Sequence, residues 1–397
     1  MAYVAVTGGG EAVDQAAALV ESQRLRGDTA IETEALENRM GLLIDRIMGE
    51  AGFYAAHYAS LALKQSEGSP EEAVFLLRAY RSTLTRAYRS MPLDGTDMNL
   101  HRRISAAFKD IPGGQFLGAT YDYTHRLLNF DLADETKSRK IQQIIEKSQP
   151  QIKASRVSDL LRREGLLASF NDDTPPMDIT QHPLSFPAPR SGRLQALARA
   201  DSGFISGLAY ASIRGFGPAH PTVGELRTGS LEVLISHPLI EGETICVGEI
   251  MVTEVESFFP EEDKKNLKEQ EKDPLRILNG GQGDKADTST NSLCIGSGYG
   301  MVFGRNDNKA IAMSILDYNL DRSEKESSDS QGGESSILQN QEFVLLHGDC
   351  LEMSGFISHL KLPHYVTFQS KLDRVRHTMK PLPRLDKAEV PLRKDEI

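Results

Sequence analysis

The sequence predicts an α+β protein, with a mostly helical N-terminal part followed by a mixed α+β C-terminal domain. Three observations carry this reading. Ser69-Pro70-Glu71 starts a helix whose apolar residues recur at helical spacing, the runs at 231–235 and 244–255 look like strands, and a proline-rich stretch at 171–192 separates the two patterns. The expected organisation is a helical domain over 1–132, a connector and linker over 133–191, an α+β domain over 192–379 and a basic tail over 380–397.

Residues 3–6 alternate weakly and predict a strand, followed by Gly8-Gly9-Gly10 and a helix over 11–24. Strand, glycine turn and helix start can form a phosphate cradle. The spacing here fits neither the dinucleotide fingerprint nor the lysine-bearing P-loop, so a tight turn is expected. Residues 34–89 read as helical. In the helix that begins at Pro70, Ala73, Leu76, Leu77, Tyr80, Leu84 and Tyr88 form the apolar stripe, and Arg78, Arg81, Arg86 and Arg89 share an arc of about 140° on the other side. Such a face is ordinarily solvated, and it is also able to meet phosphates or an acidic partner.

Residues 102–128 gather Arg102, Arg103, Lys109, Asp110, Asp122, His125 and Arg126 around Pro112 and several glycines, the profile of a positioned loop. In the second half, strands are expected at 231–235, 244–255, 300–303 and 343–347, and helices at 192–209, 309–320 and 365–379. Two stretches, 260–292 and 321–339, are polar, charged and poor in apolar residues, and are expected to be mobile surface excursions.

Composition narrows the function. The chain has 397 residues, is 39% hydrophobic and 25% charged, and carries a net charge of −11, which gives no global positive field to draw in a nucleic acid or an acidic membrane. Three scattered cysteines, Cys246, Cys294 and Cys350, build neither a disulfide framework nor a thiolate metal cradle. The N-terminus lacks the pattern of a signal peptide, and no apolar run reaches the length of a membrane span, so a cytoplasmic protein is expected.

No nucleophile elbow, zinc-protease helix or kinase motif set occurs. Residues 214–227 place His220, Glu225, Arg214 and Arg227 on a glycine-rich stretch. Glu249 and Glu254, five apart on an expected strand, face opposite sides of a regular strand, so a catalytic pair is not expected unless a bulge intervenes. Near the C-terminus His359 and His364 bracket Pro363, which excludes two ligands one turn apart on a helix. Two imidazoles leave a metal short of ligands, so a third group must come from elsewhere, such as another chain.

Several segments together carry a resemblance: Phe75-Leu-Leu-Arg-Ala-Tyr-Arg81, Lys109-Asp-Ile-Pro-Gly-Gly-Gln115, Thr120-Tyr-Asp-Tyr-Thr-His-Arg-Leu-Leu128, Gly224-Glu225, Tyr299-Gly-Met-Val-Phe-Gly304 and His359-Leu-Lys-Leu-Pro-His-Tyr365. In this order, from Tyr3 to about Lys371, the chain resembles the PhnI family of the bacterial carbon-phosphorus lyase system. The resemblance implies a role in forming α-D-ribose 1-methylphosphonate 5-triphosphate, in which a phosphonate replaces adenine at C1′ of ATP. It also implies nucleosidase activity of the subunit itself. The partners it implies are PhnG, PhnH, PhnJ, PhnK and PhnL, with self-association about a twofold axis in the core complex. A scaffold subunit that organises this complex is the alternative.

The resemblance assigns His359 and His364 to a metal, zinc in the resting complex, at the interface with the radical S-adenosylmethionine subunit PhnJ, whose own residue completes the site. For the ribosyl transfer it assigns no residue. The reaction needs a donor for the departing adenine, a negative group near the C1′ cation and positive groups or Mg²⁺ on the triphosphate. The candidates are Asp110, Asp122 and Glu225 for the cation or metal, His125 for the leaving base, and Arg102, Arg103, Lys109 and Arg126 for phosphate.

Overall fold

Helical and strand periodicities resolve into twelve helices and four strands among the described residues of the computed structural model, which are 9–27, 30–124, 126–134, 152–167, 175–217, 220–263, 293–329, 336–362 and 364–379. The expected strand at 3–6, His125 and the tail from 380 lie outside them. The chain divides into two compact units, residues 24–353 and residues 1–23 with 354–397.

In the larger unit, α2 (Thr33–Arg39), α3 (Gly41–Ala51), α4 (Ala56–Gln65) and α5 (Pro70–Thr83) form a helical cluster. Its core is Ile44, Ile47, Met48, Ala59, Leu63, Ala73, Val74 and Leu77. Ser69 caps α5 by accepting from Glu72 N, with Pro70 in the first turn, as the sequence predicts. The helix is shorter than expected. Ser82 and Thr83 turn their hydroxyls onto the carbonyls of Ala79 and Tyr80, α5 ends at Thr83, and Leu84 and Tyr88 are exposed beyond it instead of continuing the stripe. Arg86 and Arg89 are therefore not on a helix face with Arg78 and Arg81.

The sheet has the order β1-β2-β3-β4, all antiparallel, from β1 (Asn99–Ile104), β2 (Thr222–Ser236), β3 (Thr244–Asp263) and β4 (Leu293–Phe303). Arg102 and Arg103 thus stand on an edge strand, where a loop was expected. Their stretch was too polar to show a strand pattern, and its pairing with β2 is a long-range contact.

One face of the sheet packs on α9 (Asp307–Asp329), with α7 (Arg190–Arg199), α8 (Ser202–Ala211) and α10 (Gln341–Leu346) completing the layer. Gly298 and Gly300 allow the close approach, because a Cβ on either would overlap the carbonyl of Ser314 or Ala310. Phe259 stacks on Tyr318 with ring centroids 3.6 Å apart. The other face carries charge and is covered by residues 152–156 and α6 (Val157–Arg163).

Two further expectations are corrected. Residues 343–346 end α10, with His347 as its C-cap, and do not form a strand, because Asn340 caps the helix at Phe343 N, and a short apolar run does not distinguish the two states. Residues 192–209 form two helices, broken before Asp201, whose side chain caps α8 at Phe204 N. Of the polar stretches, 260–263 belong to β3 and 321–329 to α9, and Ser336 caps a short turn over Ile337–Gln339; residues 264–292 and 330–335 lie outside the described residues.

In the smaller unit, α1 (Gly9–Arg24) has no buried residue, and α12 (Tyr365–Thr378) exposes Val366, Phe368 and Val375. The end of α11 (Cys350–Ser358) leads into it through a short turn over His359–Lys361.

Candidate functional site

β1 aims its two arginines at different neighbours. Arg102 is buried, donates through Nη1 to Leu117 O at 2.7 Å and through Nη2 to Asp122 Oδ2 at 2.9 Å, and lies 3.2 Å through Nε from Asp307 Oδ2. That last contact is an ion pair without hydrogen-bond alignment, since Nε has no hydrogen-bond partner. Arg126 donates to the other oxygen of Asp122 at 3.1 Å. The Arg102 guanidinium also sits 6.0 Å from the centroid of Tyr123. Two carboxylates and two guanidiniums therefore meet at the edge strand, half open to solvent.

The segment after β1 is folded back to make this possible. Phe116 exchanges backbone hydrogen bonds with Arg103 at 2.9 Å, and Gly118 adopts φ +62°, where a Cβ would overlap His101 O. Thr120 caps the short turn that presents Asp122, and Arg126 holds a left-handed φ of +53°.

Asp307 opens α9 just after β4. Burial raises its carboxyl above the ordinary carboxylate range, with the Asp122 charge adding to the effect and Arg102 opposing it. Sequence reasoning did not select Asp307. The signal available was an acid at the start of a helix entered from a strand end, at Gly304 to Asp307.

Behind β1, Arg103 and Glu225 form a sealed pair at 2.6 Å, and the other Glu225 oxygen accepts from Val157 N at 2.9 Å. Arg103 also donates to Ser155 O at 3.0 Å. The charged ladder continues across the sheet: Arg156 meets Glu254 at 2.8 Å, Tyr299 donates to Glu254 at 3.0 Å, and Arg162 pairs with Glu256. Burial, then the charge of Glu254, push the Tyr299 phenol well above the ordinary range, with Arg156 opposing. Glu249 is exposed and Glu254 buried, on opposite sides as expected.

Lys109 and Asp110 are exposed on a turn pinned by Gln115, whose Nε2 donates to the carbonyls of Phe108 and Lys109 at 2.9 Å. Among the described residues, neither touches the Arg102 cluster. His220 is exposed and pairs with the Pro221 carbonyl at 2.9 Å.

In the smaller unit, the rings of His359 and His364 lie 5.3 Å apart. Nδ1 of His359 is on the Phe356 carbonyl, and Nδ1 of His364 is 2.7 Å from the Leu362 carbonyl. A carbonyl accepts only, so each Nδ1 carries the proton and each Nε2 lone pair is directed away from the backbone contact. That tautomer suits metal ligation. Among the described residues no group of three or more His, Cys, Asp or Glu side chains is placed to hold a metal.

Residues 2–381 match the family described as "Bacterial phosphonate metabolism protein (PhnI)". The chain belongs to the PhnI family. It is 43% identical over 381 residues to the α-D-ribose 1-methylphosphonate 5-triphosphate synthase subunit PhnI of Escherichia coli strain K12, covering 94% of this chain and 97% of that protein. It is 40% identical over 380 residues to the subunit of the same name from Rhizobium meliloti strain 1021, covering 94% of each. No described helix is long and apolar enough to cross a membrane.

Proposed function

We propose that this chain is the subunit at which the ribosyl transfer of α-D-ribose 1-methylphosphonate 5-triphosphate synthesis occurs. The near-full-length identity to the Escherichia coli PhnI subunit carries the reading. An oxygen of methylphosphonate bonds to C1′ of ATP, the bond from C1′ to adenine N9 breaks, and adenine leaves with a proton. With water in place of the phosphonate, the same chemistry is nucleosidase activity.

In this reading Asp122 faces the developing C1′ cation, Asp307, with its raised pKa, protonates the leaving base, Arg102 orients both carboxylates, and Arg126 orients Asp122 and the phosphonate. His125, beside Arg126 in the chain, is the second candidate donor to the base. Lys109 and Asp110 serve the triphosphate, Asp110 through Mg²⁺. Arg103 and Glu225 position β1 from behind, because both oxygens of Glu225 are already engaged.

His359 and His364 would hold zinc, or another divalent ion, through Nε2, with the remaining ligand from PhnJ. Such an ion supplies Lewis-acid polarisation of bound oxygen. This supports a second role, a subunit that lends ligands to a neighbour's site. The partners in the proposal are PhnG, PhnH and PhnL for the synthase, PhnJ and PhnK in the larger complex, and a second copy of this chain, all in the cytoplasm.

Incubating the chain, with and without PhnG, PhnH and PhnL, with ATP and methylphosphonate tests the reading. Adenine and the ribose 1-phosphonate triphosphate are expected. Absence of both products with all subunits present leaves only the scaffold role.

A further inference from the structure

The C-terminus of α3 gathers more positive charge than its own structure uses. Arg78 donates to Glu50 O at 3.1 and 2.6 Å, and Arg81 to Ala51 O at 2.7 Å and Gly52 O at 3.1 Å, which satisfies the last carbonyls of the helix. Arg199, at the end of α7, converges on the same turn. A Cβ on Gly52, which holds φ +61°, would stand 3.1 Å from Arg81 Nη1 and 3.2 Å from Arg199 Cδ. Arg86 lies on the following segment.

Against these four guanidiniums stand Asp349, 2.6 Å from Arg78, and Asp178, 2.6 Å from Arg86. Neither makes an ion pair with Arg81 or Arg199 among the described residues, and Arg199 Nε is buried without a hydrogen-bond partner. The imbalance shows in the electrostatics: burial, then Arg78 and Arg81, push Arg199 down to about 10, and burial, then Arg78 and Arg86, lower Arg81.

Capping a helix C-terminus does not need a third and fourth cation. A half-buried surplus of guanidinium is stabilised by an anion with several oxygens, which the fork of arginine binds bidentately.

The turn that carries Gly52 also carries an aromatic cluster. Phe53 is stacked with Tyr58 at 6.4 Å, Tyr58 and Tyr80 are 4.8 Å apart, and Phe53 and Tyr80 are 6.4 Å apart. Tyr58 and Tyr80 are 40% and 38% exposed, so ring surface remains available for stacking. Phe53 directly follows Gly52, so the aromatic cluster is anchored on the same turn that Arg81 and Arg199 approach.

We propose that this corner binds a nucleoside polyphosphate, with the phosphates on Arg81, Arg199 and Arg86 and the base against Tyr58 and Tyr80. The site shares no residue with the Asp122 and Asp307 cluster, and the proposal concerns binding only.

Calorimetric titration of the full-length chain with inorganic tripolyphosphate and with ATP tests it. Both are expected to bind, ATP more tightly. Arg199→Gln and Arg81→Lys should each weaken both by about tenfold or more. Tyr80→Leu should remove the advantage of ATP and leave tripolyphosphate unchanged. Thermal melting controls for folding, and Arg199→Gln should melt no lower than the parent, since it removes a cation repelled by its neighbours. The proposal is overturned if the parent binds neither probe, or if folded Arg199→Gln and Arg81→Lys bind both as the parent does. Adenine release, measured separately, reports on the ribosyl transfer and is independent of either result.

Discussion

Arg103 and Glu225 meet at 2.6 Å with side chains 0% and 5% exposed, and this contact ties the edge strand β1 to β2. β1 is otherwise a short polar strand at the sheet margin, so the pair fixes where Arg102 stands. Replacing one partner strands the other charge in the interior. Arg103→Met is expected to lower stability by about 3–5 kcal/mol, and Arg103→Met with Glu225→Leu to recover much of that loss. Urea denaturation of the three variants checks it. An unshifted midpoint in Arg103→Met means that the pair does not hold the strand.

Asp122 and Asp307 share Arg102 and are expected to divide the chemistry by protonation state. The carboxyl of Asp307 is raised, so its protonated fraction falls as pH climbs through that raised value, and adenine release should decline on the alkaline side. Asp307→Asn should cut the rate by about 10²–10⁴ and abolish that limb. Asp122→Asn should lower the rate and keep the limb. An Asp307→Asn profile that matches the parent removes Asp307 from proton transfer.

Lys309 is completely enclosed, donates to Ala200 O at 2.7 Å, and is pushed down to about 8 by burial, against the favourable charges of Glu50 and Asp201. Arg46 adds repulsion, and the Cys350 thiol nearby is itself pushed up to about 12 by burial. Between pH 8 and the unfolded lysine value of 10.5 the unfolded chain binds more protons, so this group makes stability rise with pH across that window, by about 3 kcal/mol in total. Lys309→Met should remove that contribution. Denaturant midpoints compared between pH 7.5 and 9.5 decide the matter, and identical slopes in parent and variant would refute it.

The rings of His359 and His364 lie 5.3 Å apart, and in the proposal above they are a half-site whose remaining ligand comes from PhnJ. Metal content of the assembled complex should fall to a small fraction in His359→Ala or His364→Ala, and purified chain alone should hold metal weakly. Elemental analysis after gel filtration reads both. Retention of metal by the His359→Ala complex excludes the half-site.

The legible parts were local. Ser69-Pro70-Glu71 announced α5, the run 244–255 announced β3, and Pro363 announced that the two histidines do not share a helix face, because capping, pleat alternation and proline sterics act within a few residues. Acid and base residues at 102–126 stood out by composition, and the structure joins Arg102, Asp122 and Arg126 there. Asp307 joins them from 181 positions beyond Arg126, and its local signal, an acid opening a helix, does not say which residues it meets.

The sequence by itself determined the fold class and the family, since residue type and short-range spacing suffice for each. Tertiary structure alone decided that a polar stretch would be the edge strand β1, that Arg78 and Arg81 would turn inward to the α3 carbonyls with Arg199 beside them, and that Asp307 would meet Arg102. Each depends on which surfaces the hydrophobic layers bring together, and a buried charge takes the partner that packing places within reach, whatever its distance along the chain.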